Sequence, residues 1–183
     1  MTERCEWASR TELEKDYHDT EWGIPLHDDE KLFEMLTLES MQAGLSWSTI
    51  MKKRETMREA FDQFDYRVIA MYQEEKISEL LTNAGIIRHR GKLEAMVNNA
   101  NQYQRIQKEY GSFDRFIWGL IEHQPIINHW EKSEEVPGST EQSDAISKRL
   151  KKEGFKFLGT TSVYAFMQSI GMVNDHLESC DFK

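Results

Sequence analysis

The strongest constraint on the fold of this chain comes from its two cysteines, which lie near opposite ends of the sequence. Cys5 is followed by His18 and Cys180 is preceded by His176, each pair at a spacing suited to metal ligands. Neither pair is a complete site, because a structural zinc ion takes four nitrogen or sulfur ligands. Together the pairs predict one structural Zn2+ ion per chain, closed to solvent and tying the two termini together. The alternative is two free thiols and two surface histidines.

Composition and length favour one soluble domain over residues 1–183, large enough to bury a core. No apolar run approaches the roughly 20 residues of a membrane span, and the first residues lack the pattern of a secretory signal. Two cysteines with metal-ligand partners fit a reducing compartment better than a disulfide framework. We therefore expect a cytoplasmic, monomeric protein with no membrane partner.

The net charge of −9 at first argues against a nucleic-acid partner, because phosphate contacts need lysine and arginine. The acidic excess is local, however. Residues 1–40 hold twelve acidic and four basic residues, a sum of −8. Two later stretches, 88–92 and 148–156, are basic. A nucleic-acid partner therefore stays possible.

Apolar spacing and capping residues predict helices nearly throughout and no strand of useful length, which indicates an all-α fold. Four helices are expected to begin at the capping residues Thr11, Asp28, Ser46 and Thr160. Three more are expected at about 74–84, 91–110 and 141–153, each followed by a glycine: Gly85, Gly111 and Gly154. A shorter helix is expected between Phe113 and Leu120.

A glycine-bounded turn at 83–92 joins two of these helices. Such a turn directs backbone N–H groups and a positive helix end outward, which suits a DNA phosphate. The candidate DNA contacts in this hairpin element, which spans about 77–103, are Gly85, Ile87, Arg88, Arg90, Gly91 and Lys92. A plain connection between two helices is the alternative.

A carboxylate on an apolar helix stripe is the second signal. Glu39 follows Leu32 and Leu36 at the spacing where an apolar residue is expected. If Glu39 faces inward it meets nearby aromatic residues, and the set would suit a flat cationic heterocycle. If the helix is rotated, Glu39 simply faces water. The aromatic residues in question are Trp7, Tyr17, Trp22 and Trp47.

Seven motifs extend this pattern over nearly the whole chain. They are Arg4-Cys5-x-Trp7, Tyr17-His18-Asp19-x-Glu21-Trp22-Gly23, Lys31-Leu32-Phe33-Glu34-Met35, Gln42-Ala43-Gly44-Leu45-Ser46-Trp47, Ala84-Gly85-Ile86-Ile87-Arg88-His89-Arg90-Gly91-Lys92, Phe155-Lys156-Phe157-x-Gly159-Thr160-Thr161 and Val173-Asn174-Asp175-His176. In this order, the set closely resembles the 3-methyladenine DNA glycosylase I family.

The resemblance implies a helix-hairpin-helix DNA glycosylase fold and hydrolytic excision of 3-methyladenine from double-stranded DNA containing alkylated adenine, releasing the free base. It implies that Glu39 recognises the base, that Tyr17 and Trp47 stack on it, and that Trp7 and Trp22 line the pocket. Gly44 and Leu45 match the loop that enters the duplex, with Leu45 as the wedge. The predicted zinc ligands match those of the family.

Three other functions compete with a glycosylase. A non-catalytic, zinc-containing helix-hairpin-helix module that binds DNA leaves Glu39 and the aromatic residues unexplained. A zinc hydrolase conflicts with a closed ligand set, because hydrolytic zinc keeps one position open. A zinc-clasped scaffold for a protein partner would be favoured by surplus exposed apolar residues, and the sequence shows no obvious excess of them. Asp114 is interpreted as a surface or capping residue.

Overall fold

The computed structural model describes residues 1–183 as a mostly helical protein. The nine α-helices are α1 (Glu12–Thr20), α2 (Asp29–Gln42), α3 (Trp47–Ala60), α4 (Tyr66–Ile69), α5 (Glu74–Leu80), α6 (Arg90–Tyr110), α7 (Phe113–Gly119), α8 (Glu141–Lys152) and α9 (Thr160–Ser169). Two strands of two residues each, β1 (Ile126–Ile127) and β2 (Val173–Asn174), pair in parallel. The all-α expectation is therefore correct except for this short pair. None of the helices combines the length and the apolar character that a membrane crossing requires.

Three of the four predicted N-caps are confirmed. The side chains of Thr11, Asp28 and Ser46 accept hydrogen bonds from the third residue of the helix that follows. The prediction for Thr160 is wrong, because Gly159 occupies the capping position of α9. The Thr160 hydroxyl lies 2.8 Å from the Ser143 hydroxyl instead and joins α9 to α8.

The predicted C-terminal ends of the helices agree with the structure in one case and not in another. Gly111 ends α6 as predicted, with a φ of 92° that favours glycine. The helix α5 ends at Leu80, four residues before the predicted end at 84, so Gly85 does not terminate it. The Gly85 N–H donates to the Asn83 side chain at 2.8 Å, and this local turn replaces the last helical turn.

Helix α2 lies at the centre of the molecule. It packs against α3, α6, α7 and α9, and every residue from Leu32 to Met41 is buried. This stretch has no solvent face, so its polar residues must be paired inside the protein or left without a partner.

The position of Lys92 differs from the surface role expected for it. Its side chain is buried, and its ammonium donates to the carbonyl oxygens of Met41 and Ala43 at 2.8 and 2.6 Å. The Met41 carbonyl lies in the last turn of α2 and the Ala43 carbonyl directly follows the helix, so neither has a helical donor. The prediction of Lys92 as a surface phosphate contact is therefore wrong: its charge completes the end of α2 and joins that end to α6.

We expect Lys92→Met to lower the free energy of unfolding by about 2–3 kcal/mol, because the variant removes two charge-assisted hydrogen bonds, of which the one to Met41 is buried. Urea denaturation measures the change. Lys108→Met, at an exposed position on the same helix, is the matched control. Equal stability of the two variants would contradict the role assigned to Lys92.

Candidate active site and metal cluster

A cavity of about 360 Å³ opens beside α2 and is walled by both ends of the chain. Its walls come from the N-terminal segment, α1, the region around the α2–α3 junction, α9, and the segments near 133–136 and 175–177. The lining residues are Cys5, Trp7, Arg10, Glu14, Tyr17, Trp22, Glu39, Gln42, Trp47, Ser133, Val136, Ala165, Gln168, Asp175 and Leu177. All five residues proposed from the sequence for base recognition line this one cavity.

Glu39 lies on the cavity side of α2 and is only 3% exposed. Its Oε2 atom is buried and has no hydrogen-bond partner. Burial raises the pKa of Glu39 to about 8, because desolvation penalises the charged form. The cavity therefore holds a carboxyl group whose ionised form no protein cation stabilises.

Aromatic rings form the wall around this carboxyl group. The Tyr17 and Trp47 ring centroids are 5.2 Å apart and tilted by 50°. Trp7 lies 6.2 Å from Tyr17 and meets Trp22 edge-on at 5.0 Å. Burial raises the pKa of Tyr17 well above its usual value, so the phenol stays neutral. The Trp47 Nε1 atom is a second buried polar atom without a partner.

These features together define what the cavity can bind. Aromatic faces attract flat rings and cations, and the unpaired Glu39 carboxyl group can accept hydrogen bonds and balance positive charge. The unpaired Trp47 N–H can donate one hydrogen bond. The cavity therefore suits a flat, nitrogen-rich, positively charged ring, and an apolar ligand would leave Glu39 unsatisfied.

The four residues predicted as metal ligands meet beside this cavity. One ligand atom from each of Cys5, His18, His176 and Cys180 lies within 4.8 Å of the other three, and all four residues are buried. Cys180 Sγ is 3.6 Å from His18 Nε2 and 3.4 Å from His176 Nδ1. Tetrahedral zinc ligands lie roughly 3.3–3.8 Å apart, given the usual bond lengths. The cluster can therefore hold a metal ion.

The outer contacts of the cluster also fit a metal site. His18 Nδ1 is 2.8 Å from Asp19 Oδ1, and His176 Nε2 is 2.9 Å from the Trp22 carbonyl oxygen. Metal-bound histidines typically use their second nitrogen in this way. Burial raises the pKa of Cys5 to about 12 and lowers the pKa of His176 to about 4, which favours neutral side chains. A bound cation would stabilise a thiolate here.

The predicted DNA contacts lie outside the cavity lining. Gly44 and Leu45 connect α2 to α3; Gly44 has a φ of 79° and Leu45 is 40% exposed. In the turn between α5 and α6, Arg88 is exposed, and Arg90 pairs with Glu74 and Glu94. Gly85, Ile87 and Gly91 belong to the same segment.

Sequence reasoning missed several cavity residues. Gln168 and Asp175 line it, and so does the segment that holds Ser133 and Val136. Gln42 and Asp175 belong to motifs of the chain but carried no predicted role. The available signal for Gln168 was a polar residue directly after the apolar run from Val163 to Met167. Asp114 does not line the cavity; its Oδ1 lies 2.7 Å from His27 Nδ1, and it occupies the first turn of α7.

A family model described as methyladenine glycosylase matches residues 7–183. DNA-3-methyladenine glycosylase 1 of Escherichia coli strain K12 is 51% identical over 178 residues, which cover 97% of this chain and 95% of that protein. DNA-3-methyladenine glycosylase of Haemophilus influenzae is also 51% identical, over 183 residues covering 100% of this chain and 99% of that protein.

The fold also matches that of solved structures. A crystal structure of 3-methyladenine DNA glycosylase I superposes with a TM-score of 0.95 at 50% identity, covering 98% of each chain. A structure of the Staphylococcus aureus enzyme, described as the basis of 3-methyladenine recognition, gives a TM-score of 0.94 at 39% identity, covering 98% of this chain and 96% of that one.

Because Glu39 is buried without a partner, we expect the folding stability of the protein to depend on pH. Its pKa is about 8 in the fold against 4.5 for a free side chain, so unfolding releases a proton between these values. The wild-type protein therefore loses stability as the pH rises from about 4.5 to about 8. We expect Glu39→Gln to gain up to a few kcal/mol over the wild type across this range, because the amide does not ionise.

Thermal melts at about pH 5 and about pH 9 measure this difference. Glu75→Gln, at an exposed position on α5, is the control. A difference between Glu39→Gln and the wild type that stays constant with pH would mean that Glu39 does not titrate as described.

Proposed function

The chain belongs to the methyladenine glycosylase family, as its motifs indicated, and we propose that it excises 3-methyladenine from alkylated double-stranded DNA. The reaction hydrolyses the N-glycosidic bond, releases free 3-methyladenine and leaves an abasic site. One observation carries the proposal for this chain: a buried, unpaired carboxyl group, Glu39, lies in a cavity lined by four aromatic residues. A cationic purine supplies both the flat ring and the positive charge that this cavity lacks.

The chemistry of the substrate explains why so few acid–base groups are needed. Methylation at N3 makes the adenine cationic, so the base leaves without being protonated. The enzyme has to unstack the nucleotide, at a cost of a few kcal/mol, and hold the base in a pocket. We assign Glu39 to accept hydrogen bonds from the adenine edge and Tyr17 and Trp47 to stack on the ring, with Trp7 and Trp22 completing the wall.

Binding of the cation is coupled to the protonation of Glu39. With a pKa of about 8, Glu39 is mostly protonated at neutral pH in the free protein. A positive ring beside it favours the carboxylate. The arriving base therefore replaces a proton as the partner of Glu39, whereas a neutral purine gives no such exchange. This difference favours the methylated base over ordinary adenine.

The DNA-facing residues are assigned by their position relative to the cavity. Gly44 and Leu45 lie between Gln42 and Trp47, two cavity residues, so the exposed Leu45 can fill the space that the flipped nucleotide leaves. The turn that holds Gly85, Ile87 and Arg88, together with Arg90 and Gly91 at the start of α6, would hold a phosphate as a helix-hairpin-helix element. One chain supplies every wall of the cavity, so a monomer over residues 1–183 suffices.

We assign Zn2+ to the metal cluster, with a structural role. Two sulfur and two nitrogen atoms complete a tetrahedral zinc site and leave no position for water. The metal would hold Cys5 and His18 against His176 and Cys180, and so fix the cavity wall that these segments carry. A non-catalytic DNA-binding module is the second candidate function, but it would not require the buried Glu39.

We expect the protein to release 3-methyladenine from methylated duplex DNA and Glu39→Ala to reduce the rate roughly 10- to 100-fold, because a hydrogen bond to a charged group is lost. Chromatography of the freed bases measures both. Glu75→Ala is the control, at an exposed site with no ion pair. Wild-type release by Glu39→Ala would refute its role, and no release by the folded wild-type protein would favour the binding module.

Elemental analysis of protein purified without chelator should find one zinc ion per chain. His18→Ala should lose the metal and lower the melting temperature, because one of four ligands is missing. His123→Ala, which replaces an exposed histidine outside the cluster, should keep both. Well under one zinc per wild-type chain would contradict the assignment.

A further inference from the structure

Asp175 is a buried carboxylate on the cavity wall that the proposed chemistry does not use. It is 1% exposed and accepts four hydrogen bonds. Its Oδ1 accepts hydrogen bonds from Asn128 Nδ2 at 2.7 Å and from Trp130 Nε1 at 2.8 Å. Its Oδ2 receives the Tyr164 hydroxyl and Gln168 Nε2, the latter at 2.9 Å. Asp175 is therefore fully paired, in contrast to Glu39.

The bond from Gln168 fixes the orientation of an amide group in the cavity wall. A carboxylate has no hydrogen to donate, so only the NH2 end of the amide can face Asp175. The indole N–H of Trp130 can only donate as well, which keeps Asp175 an acceptor. The Gln168 Oε1 atom is thereby left as the free end of the amide. Gln168 lines the cavity, so this free end is an acceptor held by the network behind it.

The orientation of the Gln168 amide affects which purine the cavity can bind. The exocyclic group of adenine is an amine with two N–H donors, whereas guanine carries an oxygen acceptor at the same position. Two acceptors, Glu39 and Gln168 Oε1, suit the amine. Against guanine the same acceptors would face an oxygen, which leaves buried acceptors unpaired.

We propose that Gln168 is a specificity-determining residue that accepts a hydrogen bond from the exocyclic amine of the flipped adenine, and that Asp175 is the positioning residue that holds its amide in the accepting orientation. This inference rests on the proposed glycosylase function and extends it to the discrimination between adenine and guanine. Sites that recognise a polar group through hydrogen bonds reject the analogue that cannot form them.

The first test compares bases released from DNA that contains 3-methyladenine and 3-methylguanine. Gln168→Met has a similar length but no amide. It should lower kcat/KM for 3-methyladenine about tenfold, the effect of one hydrogen bond, without lowering release of 3-methylguanine, because Gln168 forms no favourable hydrogen bond with the oxygen of that base. Gln124→Met, at an exposed position, should match the wild type for both bases. Loss of both bases by the same factor, or no loss, would overturn the proposal.

A second variant tests the positioning role. In Asp175→Asn the oxygen of the new amide can still accept hydrogen bonds from Asn128 and Trp130. The NH2 group of this amide then faces Gln168. Gln168 should turn its amide around and present a donor to the cavity. The ratio of 3-methyladenine to 3-methylguanine release should therefore fall further than in Gln168→Met. A purely structural role would lower both rates alike and leave the ratio unchanged, which would refute positioning by Asp175.

Loss of folding and loss of the proposed activity can each be distinguished from a change in specificity. Zinc content and melting temperature are recorded for each variant, because position 175 adjoins His176; if Asp175→Asn loses its metal or its fold, Gln168→Met decides the proposal. A wild-type protein that releases no 3-methyladenine would refute the proposed function itself. An active wild type with an unchanged ratio in Gln168→Met would refute only the role of Gln168.

Discussion

The interior position of α2 governs the chemistry of this protein, because its stretch from Leu32 to Met41 is buried throughout and cannot turn a carboxyl group toward water. Two carboxyl groups lie in this buried stretch and meet opposite conditions. Glu34 is paired with Arg54 and Arg58. Glu39, five residues later, has a buried oxygen with no partner. Burial of an unpaired acid costs stability, so the contrast separates a structural ion pair from the group that we propose binds the ligand.

The Cys2His2 cluster (Cys5, His18, His176 and Cys180) and the cavity share aromatic neighbours. Trp7 lies 5.3 Å from the His18 ring, and Trp22 lies 4.7 Å from the His176 ring. Both tryptophans also line the cavity. Anything that holds the two histidines together therefore also fixes the spacing of the aromatic wall. A metal at the cluster can support catalysis in this way without taking part in it, which agrees with a ligand set that leaves no open position.

Local signals in the sequence predicted the local features. The N-caps Thr11, Asp28 and Ser46 and the end of α6 at Gly111 depend only on residue type and spacing. The Cys2His2 set joins distant parts of the chain, and it was predictable because each half has the spacing of metal ligands and neither half is complete alone. The contacts of Lys92 depend on tertiary packing. The sequence shows a basic turn, but only the fold brings the end of α2 within hydrogen-bonding distance of the Lys92 ammonium. Gln168 and Asp175 were missed for the same reason, because their shared hydrogen bond and the cavity beside it form only when α9 and the C-terminal segment meet.

The cavity also draws its walls from residues more than 160 positions apart, such as Trp7 and Asp175. During synthesis the N-terminal part of the chain leaves the ribosome first, so Glu39 and the tryptophans emerge long before Gln168, Asp175 and the second pair of cluster residues. Until those arrive, the unpaired acid has no enclosed site around it. A partly made chain that lacks these residues cannot enclose a flipped base, so the cavity is complete only after Gln168 and Asp175 have been added.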